Sequence, residues 1–206
     1  MVEDDIMIDD FAKEYLHGDL CEARKTILWK LNGLSEYDAR RPMTRTGTNL
    51  LGLVKHLTMT EARYFGEVFG RTFAEELPWA AVDAELDADK WVTVNESRTE
   101  VIDRYLRVCQ HSDKTISELP IHALGHVPTW PRPEVKLFNI MVHVLTETTR
   151  HAGHADILRE YIDGKVGFDA VTAGFLERGP EYWEDHCAKI ERAAEKSTQP
   201  ADGWKM

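Results

Sequence analysis

The sequence predicts an all-α protein, an antiparallel four-helix bundle with an additional C-terminal helix. Long segments carry apolar residues at helical spacing between glycine and proline stops, and no alternating strand pattern of useful length competes. A second periodicity lies in the run His143-Val-Leu-Thr-Glu147-Thr-Thr-Arg-His151-Ala-Gly-His154. With Glu147 as zero and about 100° per residue, His143 falls at about −40°, His151 at about +40° and His154 at about −20°. The four share one stripe. Ile140, Val144, Ala155 and Leu158 fall at about +20° to +80°, so the stripe lies beside or within the core-facing arc. Ionisable groups turned inward in this way need partners or a cation.

Asp9 or Asp10 is expected to cap a first helix supported by Phe11, Leu16, Leu20, Ile27, Leu28 and Leu31, with Gly33 as its stop. Residues 35–46, containing Arg40, Arg41 and Pro42, form a loop. Thr48 then caps a second helix over residues 49–69, which carries His56 and stops at Gly70. Residues 75–90, with Pro78 and several acidic side chains, read as a long connection whose Trp79, with Trp91 just beyond it, is placed to cover an opening. Thr93-Val-Asn-Glu96 has the pattern of a capping box for a third helix, supported by Val101, Ile102, Tyr105, Leu106 and Ile116 and ending near Leu119 and Pro120. An irregular loop over 121–132 returns the chain to Pro133, which suits the first position of a fourth helix because its missing N–H has no intrahelical partner to lose. That helix runs to residue 163 and stops at Gly164. After a connection containing Gly167, Pro180 starts a last helix through about residue 196. No internal repeat is present.

With 206 residues, 43% of them hydrophobic, the chain has the core of one domain over residues 1–206, with 197–206 as a flexible polar tail. A net charge of −11, with no basic block interleaved with aromatics, argues against direct nucleic-acid binding. Cys21, Cys109 and Cys187 are odd in number and widely separated, which fits reduced core thiols better than disulfides or a thiolate zinc site. The acidic N-terminus is unlike a signal peptide, and no apolar run approaches the roughly 20 residues of a membrane span. A cytoplasmic protein without a membrane partner is expected. An acidic helical surface permits a homodimer without demanding one.

Imidazole nitrogen and carboxylate oxygen are suitable ligands for zinc and similar divalent ions, and residues at i and i+4 on a helix reach the same ion. Glu147 and His151 meet that condition. A catalytic site usually has three protein ligands and an open position, so the third should come from another helix. His56, at the edge of an arc formed by Leu50, Leu53, Leu57 and Tyr64, is the best candidate. A rival reading pairs Glu147 with Arg150 or Arg159 and leaves the histidines lining a solvated groove. Arg150 lies about 300° from Glu147 on the wheel, and Arg159 is three turns away.

Two stretches carry a family resemblance: Arg40-Arg-Pro-Met-Thr-Arg-Thr-Gly-Thr-Asn-Leu-Leu-Gly-Leu-Val-Lys-His56-Leu-Thr, and the histidine run continued through Ala-Asp-Ile-Leu-Arg-Glu160. They resemble the DinB-like superfamily, in its branch related to mycothiol-dependent enzymes, over residues 11–163. The resemblance implies a divalent metal, commonly zinc with nickel or iron as alternatives, held at the matching positions His56, Glu147 and His151. Mycothiol-dependent maleylpyruvate isomerases resemble this chain in having glutamate at the position of Glu147. His143 and His154 match nearby family histidines that orient ligands or substrate, and His154 is the catalytic candidate.

The activity implied is thiol chemistry: transfer of a mycothiol- or bacillithiol-like cosubstrate to a small electrophile. The isomerases carry a further C-terminal domain that contributes to catalysis and that the sequence has no room for, so transfer is expected over isomerisation. Two other functions remain open. One is a metal-dependent hydrolase activating water, with Glu61 or His154 as base. The other is a non-catalytic, stress-associated metal-binding protein. The pocket over the metal is expected to be formed by loop 121–132 and the second helix, with Trp130 as a wall. Trp29, Trp91, Trp183, Arg40, Arg41 and Arg45 are read as structural or solvated.

Overall fold

The computed structural model describes residues 2–81, 83–176 and 178–197. Of the expected tail, all but Ser197 lies outside them. The described residues are predominantly helical, with one two-stranded sheet. Among them, no helix is long and apolar enough to cross a membrane.

Helix α1 (Val2–Trp29) begins before Asp9 and Asp10, which lie within it and do not cap it. It unwinds through a turn to Gly33, whose φ of 75° is accessible to glycine without strain. The expected loop that follows contains a short helix α2 (Glu36–Arg40), capped by Ser35 Oγ accepting from Asp38 N–H at 3.0 Å. Helix α3 (Leu50–Glu61) is capped by Asn49, one residue later than expected, through Oδ1 accepting from Gly52 N–H at 2.8 Å. Its continuation to Phe69 is not regular α-helix: a π-helical turn (Ala62–Gly66) and a 3₁₀ turn (Glu67–Phe69) precede the stop at Gly70.

Helix α4 (Arg98–Glu118) is capped by Ser97. Thr93 and Glu96 do bond, Thr93 N–H donating to Glu96 Oε2 at 2.9 Å, but in the turn just ahead of the helix. The loop over 121–132, expected to be irregular, instead contributes β1 (Leu124–His126) to an antiparallel pair with β2 (Glu134–Lys136), Gly125 lying opposite Val135. Strands of three residues are too short to display alternation. Gly125 is required there, since a Cβ would lie 2.7 Å from Val68 Cγ1. Pro133 belongs to this hairpin, its carbonyl accepting from Val127 N–H at 2.8 Å, so α5 (Leu137–Asp163) starts later than expected. It ends at Gly164 as predicted. The Gly167 connection holds a further short helix, α6 (Ala170–Leu176), before α7 (Pro180–Glu195) opens with Pro180 in its first turn.

Helix α1 packs along α5, α3 along α4, and α3 also against α5. Two apolar clusters result, one containing Ile27, Leu57, Cys109 and Ala152, the other Leu20, Phe65, Ile116 and Val144. On each long helix the interval between the two clusters is polar: Arg24 on α1, Glu61 on α3, Ser112 and Asp113 on α4, Thr148 on α5. Arg24 grips Glu61 bidentately, with both N–H···O distances 2.7 Å, and its third donor reaches Asp113 Oδ1 at 2.6 Å. The Glu61 side chain is 0% exposed, so its charge depends on this fork.

Cys109 is buried as expected, whereas Cys21 is half-buried and Cys187 exposed; all three are free.

Removing one member of a buried ion pair leaves an uncompensated charge. Arg24→Met should destabilise the fold by about 3–5 kcal/mol in urea unfolding, and Arg24→Met/Glu61→Leu should recover most of that loss. A single variant as stable as wild type would show that the pair does not hold α1 to α3.

Candidate metal centre

The interval of α5 that faces the polar level, Val144 to Ala152, also carries Glu147 and His151. Helical spacing places them on one face, and Glu147 Oε1 lies 3.1 Å from His151 Nε2. Helix α3, packed against α5, brings His56 Nε2 to 3.7 Å from the same oxygen. The donor atoms of His56, Glu147 and His151 all lie within 4.8 Å of one another. Ligands at tetrahedral zinc, with bonds near 2.0 Å, sit roughly 3.3 Å apart, so this donor set fits one divalent ion. All three side chains are partly buried.

Burial alone would raise the Glu147 carboxyl, but His151 and His56 outweigh it and hold the group below its usual value as a carboxylate. Burial, reinforced by the nearby His56, lowers the His151 imidazole and favours the neutral form that binds a metal.

His56 and His151 are each engaged through the other ring nitrogen as well. His56 Nδ1 is 2.6 Å from Asp89 Oδ2, and His151 Nδ1 is 3.3 Å from His154 Nδ1. Asp89 was not anticipated: it sits in an acidic connection of weak periodicity, and no spacing in the sequence links it to His56. His154 is exposed beside the site. His143 is not gathered into the ligand cluster. Its ring meets Tyr64 at 4.5 Å and Trp130 at 4.8 Å between centroids, and burial lowers its pKa. The rival pairing of Glu147 with an arginine is not seen: Arg159 instead pairs with Asp163 and donates to the carbonyls of Lys30 and Asn32. Glu61, one candidate base for hydrolysis, is committed to Arg24 and shut away from solvent.

A cavity of about 680 Å³ opens onto His56, His151 and His154. The second-helix contribution is as expected, through Asn49, Gly52 and Leu53, but the other walls are the 42–48 loop and the segment from Asp87 to Trp91. Loop 121–132 and Trp130 do not line it; Trp130 packs on Tyr64 and His143. Trp91, 43% exposed, and Arg40 belong to the cavity, against the reading that left them out. No cysteine lines it, and burial pushes the Cys21 and Cys109 thiols upward in pKa, Cys109 strongly.

A second group, His17, Cys21 and Asp113, also approaches ligand spacing. There Asp113 Oδ1 already accepts from the Arg24 guanidinium at 2.6 Å and contacts His17 Nε2 at 2.8 Å. The fixed positive charge of Arg24 disfavours a cation at that position.

Against known proteins, the family model described as mycothiol-S-transferase matches residues 15–164. The chain belongs to that family. This places it in the DinB-like, mycothiol-related group indicated by the two sequence stretches. No curated protein matches the chain.

If His143 is held by its aromatic neighbours rather than by a metal, His143→Phe should retain the wild-type metal content by elemental analysis. Loss of metal from a folded His143→Phe protein would move His143 into the ligand set.

Proposed function

We propose that the protein is a metal-dependent transferase that joins a low-molecular-weight thiol, mycothiol or a bacillithiol-like analogue, to a small electrophile. The observation that carries this reading is the His56/Glu147/His151 cluster opening onto a cavity without a cysteine, in a chain of the mycothiol-S-transferase family. The fold reading that accompanies it is a DinB-like four-helix bundle of α1, α3, α4 and α5 in one domain, working in the cytoplasm.

In this reading His56, Glu147 and His151 hold a divalent ion, zinc first, with nickel or iron as alternatives. A cation there supplies positive charge that favours a cosubstrate's thiolate over its thiol. Among the described residues no cysteine lines the cavity, so in this reading the attacking sulfur belongs to the cosubstrate. His154, at the cavity, takes up the proton released when the S–H bond breaks. A sulfur–carbon bond then forms on the electrophile as its leaving group departs. The 42–48 loop, through Thr46 and Thr48, presents polar groups to a hydroxyl-rich thiol, while Leu53 and Trp91 offer apolar surface to an electrophile.

The test is turnover of a fluorogenic haloalkyl probe with mycothiol, bacillithiol or no thiol, using metal-loaded and metal-stripped protein. Thiol-dependent conjugation that falls at least about 100-fold on stripping or in Glu147→Gln is expected, a loss in the range ascribed to charge stabilisation at a reacting centre. Equal rates with and without metal would overturn the reading. Thiol-independent cleavage of esters, amides or lactones would replace it with a hydrolase.

A further inference from the structure

Asp89 lies on a segment that has no regular secondary structure yet is fastened to α3 at several points. Lys90 N–H donates to Asp87 O at 2.8 Å, closing a turn in which Asp87 adopts a φ of 64°. Asn49 Nδ2 donates to Lys90 O at 3.3 Å, and the buried Lys55 donates through Nζ to Trp91 O at 3.0 Å. The closest approach is at Gly52. A Cβ built there would lie 2.0 Å from Lys90 O and 2.8 Å from Lys90 C, both backbone atoms that cannot swing away. The segment is thus pressed onto the first turn of α3, one helical turn before His56, and the Asp89 side chain is left 11% exposed with Oδ2 against His56 Nδ1.

We propose that Asp89 is a positioning residue for the metal centre, and that Gly52 is the position that lets the 87–91 backbone carry it there. This rests on the reading of His56 as a ligand. A carboxylate accepting from Nδ1–H fixes the tautomer whose Nε2 lone pair faces Glu147, locks the ring's rotation and raises its basicity. The two ligand histidines are therefore unequal: His56 is backed by a buried carboxylate, His151 by an exposed imidazole. The segment also supplies Lys90 and Trp91 to the cavity, so one backbone contact sets both the ligand's orientation and the substrate wall.

The experiment is cobalt(II) titration of metal-free, full-length protein against a competing chelator, followed by the ligand-field absorption. In parallel, ¹⁵N-histidine NMR of the zinc-loaded protein reads the His56 ring. Asp89→Ala should weaken cobalt binding by about 10–100-fold, more than His154→Ala does, and should broaden or abolish the slowly exchanging His56 Nδ1–H signal. Asp89→Asn, whose amide oxygen still accepts from Nδ1–H, should fall between Asp89→Ala and wild type and guards against a folding defect. Gly52→Ala should weaken metal binding and also raise KM for the thiol. Cobalt affinity within twofold of wild type in Asp89→Ala, with the Nδ1–H signal intact, overturns the proposal while leaving the metal centre standing. If His56→Ala also binds cobalt as wild type does, the reading of His56 as a ligand fails and the proposal fails with it.

Discussion

The fork between Arg24 and Glu61 is the constraint on which the arrangement of the helices depends. Two charged side chains at 7% and 0% exposure can remain inside only if each satisfies the other, which fixes the rotation of α1 and α3 about their axes to within a hydrogen bond. Once α3 is fixed, His56, little more than one turn before Glu61, has no choice of direction. The same level on α5 presents Glu147 and His151, so the polar interval that separates the two apolar clusters also brings the donor atoms of His56, Glu147 and His151 together. Removing the pair would do more than lower stability: it would release the helix rotations that the site requires.

Electrostatics distinguish the two polar clusters that this arrangement creates. Around Arg24, one guanidinium serves two carboxylates, and Asp113 Oδ1 already accepts from it and contacts His17. Beside Glu147 lie the imidazoles of His56 and His151, and burial disfavours the charged form of His151. That site gathers a carboxylate oxygen and two imidazole nitrogens within 4.8 Å of one another. A divalent cation complements that set. The π-helical turn after α3 completes the neighbourhood by turning Tyr64 against His143.

Local features were legible in the sequence and long-range ones were not. The i, i+4 relation of Glu147 and His151, the stop at Gly164 and the start at Pro180 follow from helical geometry and capping chemistry alone. Pro133 misled because an equally local rule, proline at a helix start, lost to a hairpin in which its carbonyl pairs with Val127. Thr48 and Thr93 misled by one and four residues because a neighbouring polar residue, Asn49 or Ser97, made the better cap. Asp89 and Glu61 were out of reach for a different reason. Their partners lie 33 and 37 residues away, and no periodicity spans a connection without regular structure.

Metal content by inductively coupled plasma mass spectrometry, on tag-free wild type and on His56→Ala, Glu147→Ala and His151→Ala, tests the central claim most directly. The account predicts about one divalent ion per wild-type chain and its loss from each folded variant, as expected when three ligands share one ion. Wild type free of metal after expression and titration with zinc, nickel and iron, or variants that keep their metal, would contradict it.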